Sequence, residues 1–219
     1  FYKIPKLKVG HAGTLDPLAT GLLILCTGKK TKQIDALMQH DKEYVATLRL
    51  GATTPSFDLE KPIDATFPTS HITRALIDEV IPTFLGEQWQ VPPVFSAVKV
   101  NGKRAYDLAR KGEEVELKPK LLVIDELEVL RFDAETMQLE IRVVCSKGTY
   151  IRALARDIGQ RLHSGAHLIA LRRTRVGDIR VENALTFQQF EQIVNNIILY
   201  LTLHFQSYIL ILALKDREC

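Results

Sequence analysis

The sequence predicts an α/β chain in which strands come in runs instead of alternating one by one with helices. Three observations carry that reading. Residues 43–50 alternate, with Tyr44, Ala46, Leu48 and Leu50 on one face and Glu43, Val45, Thr47 and Arg49 on the other, the period of a half-buried strand. Residues 121–132 and 138–145 pattern as two strands joined at Asp133-Ala134-Glu135-Thr136, with Leu139, Ile141, Val143 and Cys145 on the buried face. Straight afterwards Ile151, Leu154, Ala155, Ile158 and Leu162 recur at helical spacing. A doubly wound parallel sheet demands strand–helix alternation, which this order lacks.

The 219 residues have room for one large domain or two small ones, and 46% hydrophobic with 25% charged residues is ordinary for a globular chain. A net charge of +3 permits a nucleic-acid partner without demanding one. Distribution says more. Residues 147–180 hold eight Lys/Arg (147, 152, 156, 161, 172, 173, 175 and 180) against Asp157 and Asp178. Cys26, Cys145 and Cys219 are far apart, with no spacing that suits zinc, and the first two end apolar runs as buried thiols of a reducing compartment do. The dinucleotide fingerprint is absent, and Gly28-Lys29-Lys30-Thr31 has the wrong spacing for a phosphate-binding loop. Ser96 lacks the glycine frame of a hydrolase nucleophile.

Taken in order, His11-Ala12-Gly13-Thr14-Leu15-Asp16-Pro17-Leu18-Ala19-Thr20-Gly21 is the stretch that organises the chain. Pro17 fixes its own φ and pushes Asp16 toward an extended conformation, so the carboxylate sits on a stiffened turn. By itself this is also the pattern of an acidic turn residue before the buried strand Leu22–Cys26. Residues 29–40 suit a short helix. Residues 51–69, rich in Thr, Pro, Asp and Ser, read as an exposed connection, and Ser70 as the N-cap of a scaffold helix carrying Ile72, Leu76 and Val80.

Residues 90–112 combine two prolines, a turn at Asn101-Gly102 and a short basic helix. Lys99, Lys103, Arg104, Arg110 and Lys111 interleave with Phe95 and Tyr106, which suits phosphate contact and base stacking, although a plain basic surface hairpin has the same charge. Arg152 and Arg156 lie one turn apart at a helix start, where the helix dipole disfavours cations, so an Arg there calls for an anionic partner unless both simply face solvent. Residues 167–175 are apolar on both faces and then basic on both, as a central strand emerging at a positively charged mouth would be. The apolar run Ile197–Leu214 is too polar in its middle for a membrane span and is expected to be a helix packed on the sheet or on a second subunit.

Four of these strings, in this order, resemble the tRNA pseudouridine synthase B family, relatives of the RNA-guided pseudouridine synthases. The resemblance runs from about Val9 to Asn195. It implies an α/β (α+β) fold with a mixed, mostly antiparallel sheet, flanking helices and an RNA-binding thumb at 90–120 inside a catalytic domain spanning 1–195. An atypical apolar segment, 196–219, follows. It further implies that Asp16 is the nucleophile, that Arg152 pairs with it, and that Tyr44 packs on the target uracil. Tyr150 would help hold the Arg and the base, and Leu171 would line the pocket. His11 would support the flipped nucleotide, with a purely structural His as the alternative. Lys147 and the thumb residues Lys103 and Arg104 are expected to bind RNA.

The implied reaction is isomerisation of a T-loop uridine of tRNA to pseudouridine. It involves neither redox change nor net hydrolysis, so no cofactor and no metal are expected, and the chain is expected to be a cytoplasmic monomer without a membrane segment. A non-catalytic tRNA-binding or folding protein is the competing reading; Asp16 with Arg152 is what binding alone would not require. Family members usually open with a further strand and continue into a small RNA-binding domain. Neither is recognisable here, and the chain alone is expected to be poorly soluble and less active than one with that strand restored.

Overall fold

A computed structural model describes residues 8–96, 98–100, 102–106, 117–198 and 209–214. In chain order the first elements are β1 (Val9–His11), β2 (Ala19–Thr27), α1 (Ile34–Gln39), β3 (Lys42–Leu50), β4 (Ala52–Thr53) and β5 (Ala65–Thr66). Next come α2 (Arg74–Val80), β6 (Gly86–Gln90), β7 (Lys99–Val100), β8 (Lys103–Arg104), β9 (Lys120–Asp133) and β10 (Gln138–Cys145). The last are α3 (Ile151–Arg161), β11 (Ala166–Val176), β12 (Ile179–Arg180), α4 (Phe187–Ile198) and β13 (Ile209–Leu214). The fold is mixed α/β with mostly antiparallel strands, as the resemblance implies. It divides into two units, Phe1–Tyr44 with Arg172–Cys219 and Val45–Leu171, and the boundary falls inside β3 and β11.

The first unit is built on β2. Leu22, Ile24 and Cys26 point to one face, because side chains alternate along a strand, and form a core with Ala12, Val176 and Val181. β1 pairs antiparallel with the far end of β2, His11 opposite Leu25. The apolar tail does not end as the expected helix. α4 takes its first part, but Ile209–Leu214 is a strand, antiparallel to β2 with Ile211 opposite Ile24. An unbroken Ile-Leu-Ile-Leu run has no amphipathic helical face to present, whereas it matches an apolar strand edge.

In the second unit β10 lies antiparallel on β9 and β9 on β6. Leu139, Ile141, Val143 and Cys145 are buried on one face of β10, as their alternation requires. β7 and β8 form a small hairpin around Gly102, whose positive φ suits a tight turn. Two local expectations are corrected. The N-cap of α2 is Thr73, not Ser70; the Thr73 hydroxyl accepts a hydrogen bond from the Leu76 N–H. Residues 51–69 are not an exposed connection throughout: Ala52, Thr54, Ser56 and Asp58 are all buried.

Gly159 lets α3 lie against the start of β11. A Cβ there would stand 2.6 Å from the Gly165 carbonyl carbon and 2.8 Å from the Ala166 Cβ, with no flexible side chain to give way. Gly159→Ala is therefore expected to destabilise the protein by about 1–3 kcal/mol despite the better helix propensity of Ala, as a lowered thermal midpoint. A raised midpoint would show that the two elements part freely.

Candidate active site

Asp16 lies in the loop between β1 and β2. Its carbonyl accepts the Ala19 N–H at 2.8 Å, closing a turn with Pro17 in the second position. Leu18 does not have positive φ, so this is not a type II turn, and the proline's fixed φ suits the geometry. The carboxylate is thus held half-buried on a short stiff corner. Two glycines flank it with left-handed backbones, Gly13 at φ 98° and Gly21 at φ 95°. At Gly21 a side chain is sterically impossible: its Cβ would run into the Arg173 carbonyl and come within 2.9 Å of the Arg173 nitrogen.

That same Arg173 belongs to the run that the sequence places at a positively charged mouth. The structure turns it inward, with 1% of its surface exposed. Its Nε donates to the Leu22 carbonyl at 2.9 Å and its Nη2 to the Gly13 carbonyl at 3.1 Å. The neighbouring Arg175 is also engaged: it pairs with Glu43 at 3.9 Å and donates to the Gly177 carbonyl. In the same unit, His11 is exposed at the end of β1 and Tyr44 is half-buried in β3.

The second unit carries the other predicted residues. Arg152 opens α3 and is buried, its side chain 5% exposed, which rejects the solvent-facing alternative. A carboxylate partner within this unit is Asp58, 4% exposed, with Nε to Oδ2 at 3.7 Å, and Arg152 Nη1 also donates to the Ser56 carbonyl at 3.4 Å. The segment that presents Asp58 is itself shaped. Thr54 donates its hydroxyl to the Asp58 carbonyl, Phe57 takes positive φ, and the Phe57 carbonyl accepts the Leu168 N–H. Arg156, one turn along α3, stacks over the Phe57 ring at 4.9 Å and donates to Asp157 and to the Val91 carbonyl. Burial pushes the Asp157 carboxyl above its ordinary value, against the opposing pull of Arg156.

Tyr150 is clamped through its backbone: its N–H donates to Gln90 Oε1 at 2.9 Å, and Gln90 Nε2 donates to its carbonyl at 3.2 Å. Leu171 is buried in β11 and Lys147 exposed in the loop before α3. Lys103 and Arg104 form β8 opposite Val100 and Lys99, and much of the expected thumb, 107–116, lies outside the described residues. Among the described residues no three His, Cys, Asp or Glu side chains gather as a metal site. Sequence reasoning missed Asp58 and misplaced Arg173. The demand of a buried helix-start Arg for an anion pointed to a partner without saying which.

Asp16 thus stands on a short proline turn between two left-handed glycines, in a loop whose Gly13 carbonyl accepts a hydrogen bond from the buried Arg173. A family model described as TruB family pseudouridylate synthase (N terminal domain) matches residues 2–151, and one described as tRNA pseudouridylate synthase B C-terminal domain matches 152–199. The chain belongs to the TruB family of pseudouridylate synthases. Relatives named tRNA pseudouridine synthase B include those of Phocaeicola vulgatus, 66% identical over 86% of this chain and 80% of the relative, and Bacteroides thetaiotaomicron, 68% identical over the same shares. The relative from Flavobacterium johnsoniae is 54% identical over 85% of this chain and 81% of its own. Among solved structures, a chain in a crystal structure of a Cbf5-Nop10-Gar1 complex aligns with TM-score 0.65 at 29% identity, over 87% of this chain. A chain of an H/ACA RNP bound to a substrate RNA containing 2'-deoxyuridine aligns with TM-score 0.55 at 29% identity, over 79% of this chain. The chain spans 47% and 40% of those two solved chains, less than half of each.

Proposed function

We propose that this protein is a tRNA pseudouridine synthase that isomerises a uridine of the T-arm, with Asp16 as nucleophile. The observation that carries the reading is the Asp16 turn, braced on both sides, in a chain 65–68% identical to five relatives of that name. The target nucleotide leaves its stack to reach the carboxylate, with His11 supporting the displaced nucleotide and Tyr44 and Leu171 enclosing the base. Asp16 adds covalently to base or sugar and later leaves. The bond from the ribose to N1 breaks, the uracil turns, and a bond forms to C5, whose proton passes to solvent while N1 gains one. In this reading Arg152 serves the Asp16 anion and aims it, and Tyr150 holds Arg152 and the base. No electron is transferred and no water consumed, so the reaction calls for no cofactor. The reading takes the protein as a cytoplasmic monomer, and no helix among the described residues is long and apolar enough to cross a membrane.

The direct test is release of tritium from tRNA labelled at C5 of uridine. Release by the wild-type chain supports the reading; binding without release favours the non-catalytic alternative.

Lys103, Arg104 and Lys147 are assigned to the RNA phosphates. Reversing the charge of Lys103 and Arg104 together is expected to weaken tRNA binding and to flatten its salt dependence by roughly 1–2 in log–log slope, since each lost phosphate contact frees about one counterion fewer. Single-turnover chemistry at saturating RNA changes little. An unchanged salt slope removes these residues from the interface.

A further inference from the structure

We infer that Arg173 is a positioning residue for the nucleophile: it clasps the base of the Asp16 loop and fixes where the carboxylate stands. The inference rests on the reading of Asp16 as nucleophile. The two carbonyls it takes lie on either side of Asp16, Gly13 three residues before and Leu22 six residues after. A guanidinium has donors in a fixed planar fork, so one side chain spans both ends of the loop and sets their separation. Its backbone works to the same end, lying so close to Gly21 that no side chain fits there. At Gly13 the fit is close but less severe: a Cβ there would sit 3.3 Å from Arg173 Nη1, so the guanidinium would have to shift.

Burial sharpens the argument. A guanidinium sheltered to 1% exposure has lost its water and is kept only where its hydrogen bonds replace it. An arginine serving RNA would keep its donors free at the surface, as the basic run around it suggests from sequence. Here they are spent on the loop that carries the reacting group. Nucleophilic attack depends on placement at the ångström scale, and the clasp is the contact that controls it.

The test is Arg173→Lys, which keeps the charge but reaches one carbonyl instead of two. Three quantities are measured beside wild type: single-turnover tritium release at saturating tRNA, the tRNA dissociation constant, and the thermal midpoint. The expected result is a fall of roughly 100-fold in the single-turnover rate, with affinity changed by less than about threefold and the protein folded at the assay temperature. A rate near wild type overturns the proposal, and so does a loss confined to affinity, which would make Arg173 an RNA contact. If Arg173→Lys does not fold, Gly13→Ala reads the clasp from the loop side. It is expected to slow the chemistry about tenfold, because the added Cβ would stand 3.3 Å from Arg173 Nη1 and press the guanidinium off the Gly13 carbonyl, and a wild-type rate overturns the proposal. Wild-type protein that releases no tritium defeats the activity itself, whereas active wild type beside equally active Arg173→Lys defeats only the clasp.

Discussion

Asp16→Asn is expected to bind tRNA as wild type does and to release tritium only at background. The substitution keeps the shape of the side chain and the turn, because that turn is made by the Asp16 carbonyl and the Ala19 N–H, neither of which is altered. Only the anion goes. An amide is a far poorer nucleophile, and covalent catalysis by a carboxylate has no substitute in a side chain that cannot attack and leave. A loss of several orders of magnitude in rate corresponds to more than about 5 kcal/mol of transition-state stabilisation at the usual conversion. Substantial release from the Asn variant, with binding unchanged, would sink the assignment of Asp16.

The next largest effect belongs to Arg152→Lys. Arg152 holds the Ser56 carbonyl and the Asp58 carboxylate with a fork that an ammonium cannot copy. Both charges are buried, so a misdirected cation is poorly compensated by water. If Arg152 also aims Asp16, turnover should fall by roughly 100-fold while tRNA affinity moves little. Single-turnover rates and filter-binding affinities on the two proteins decide it. Equal turnover would confine Arg152 to holding the Ser56–Asp58 segment. A fall in affinity alone would make it a substrate contact.

Much of the scaffold was legible from local rules. Strand period exposed β3 and β10, helical spacing exposed α3, and Gly102 marked the turn of a hairpin whose strands are β7 and β8. The Asp16 corner was readable because proline restricts itself and the residue before it, a constraint that needs no tertiary contact. Where residues 51–69 were misread, composition was the cause: Thr, Pro, Asp and Ser suit an exposed loop equally well when a few of them are buried as partners. Thr54, Ser56 and Asp58 became interior only because β11 and α3 pack beside them.

Local sequence is enough for the periodicities, the stiff Asp-Pro turn and the choice it leaves Arg152 between solvent and an anion. All of these follow from stereochemistry within a few residues or from the cost of an unpaired charge. Tertiary structure alone decided which anion answers Arg152 in its unit, 94 residues away at Asp58, and which arginine of Arg172-Arg173-Thr174-Arg175 turns inward. It also decided that Ile209–Leu214 adds to β2 as a strand. Each of these choices depends on two distant segments meeting in register, and a run of basic or aliphatic residues suits either face, and either helix or strand, until its neighbour is in place.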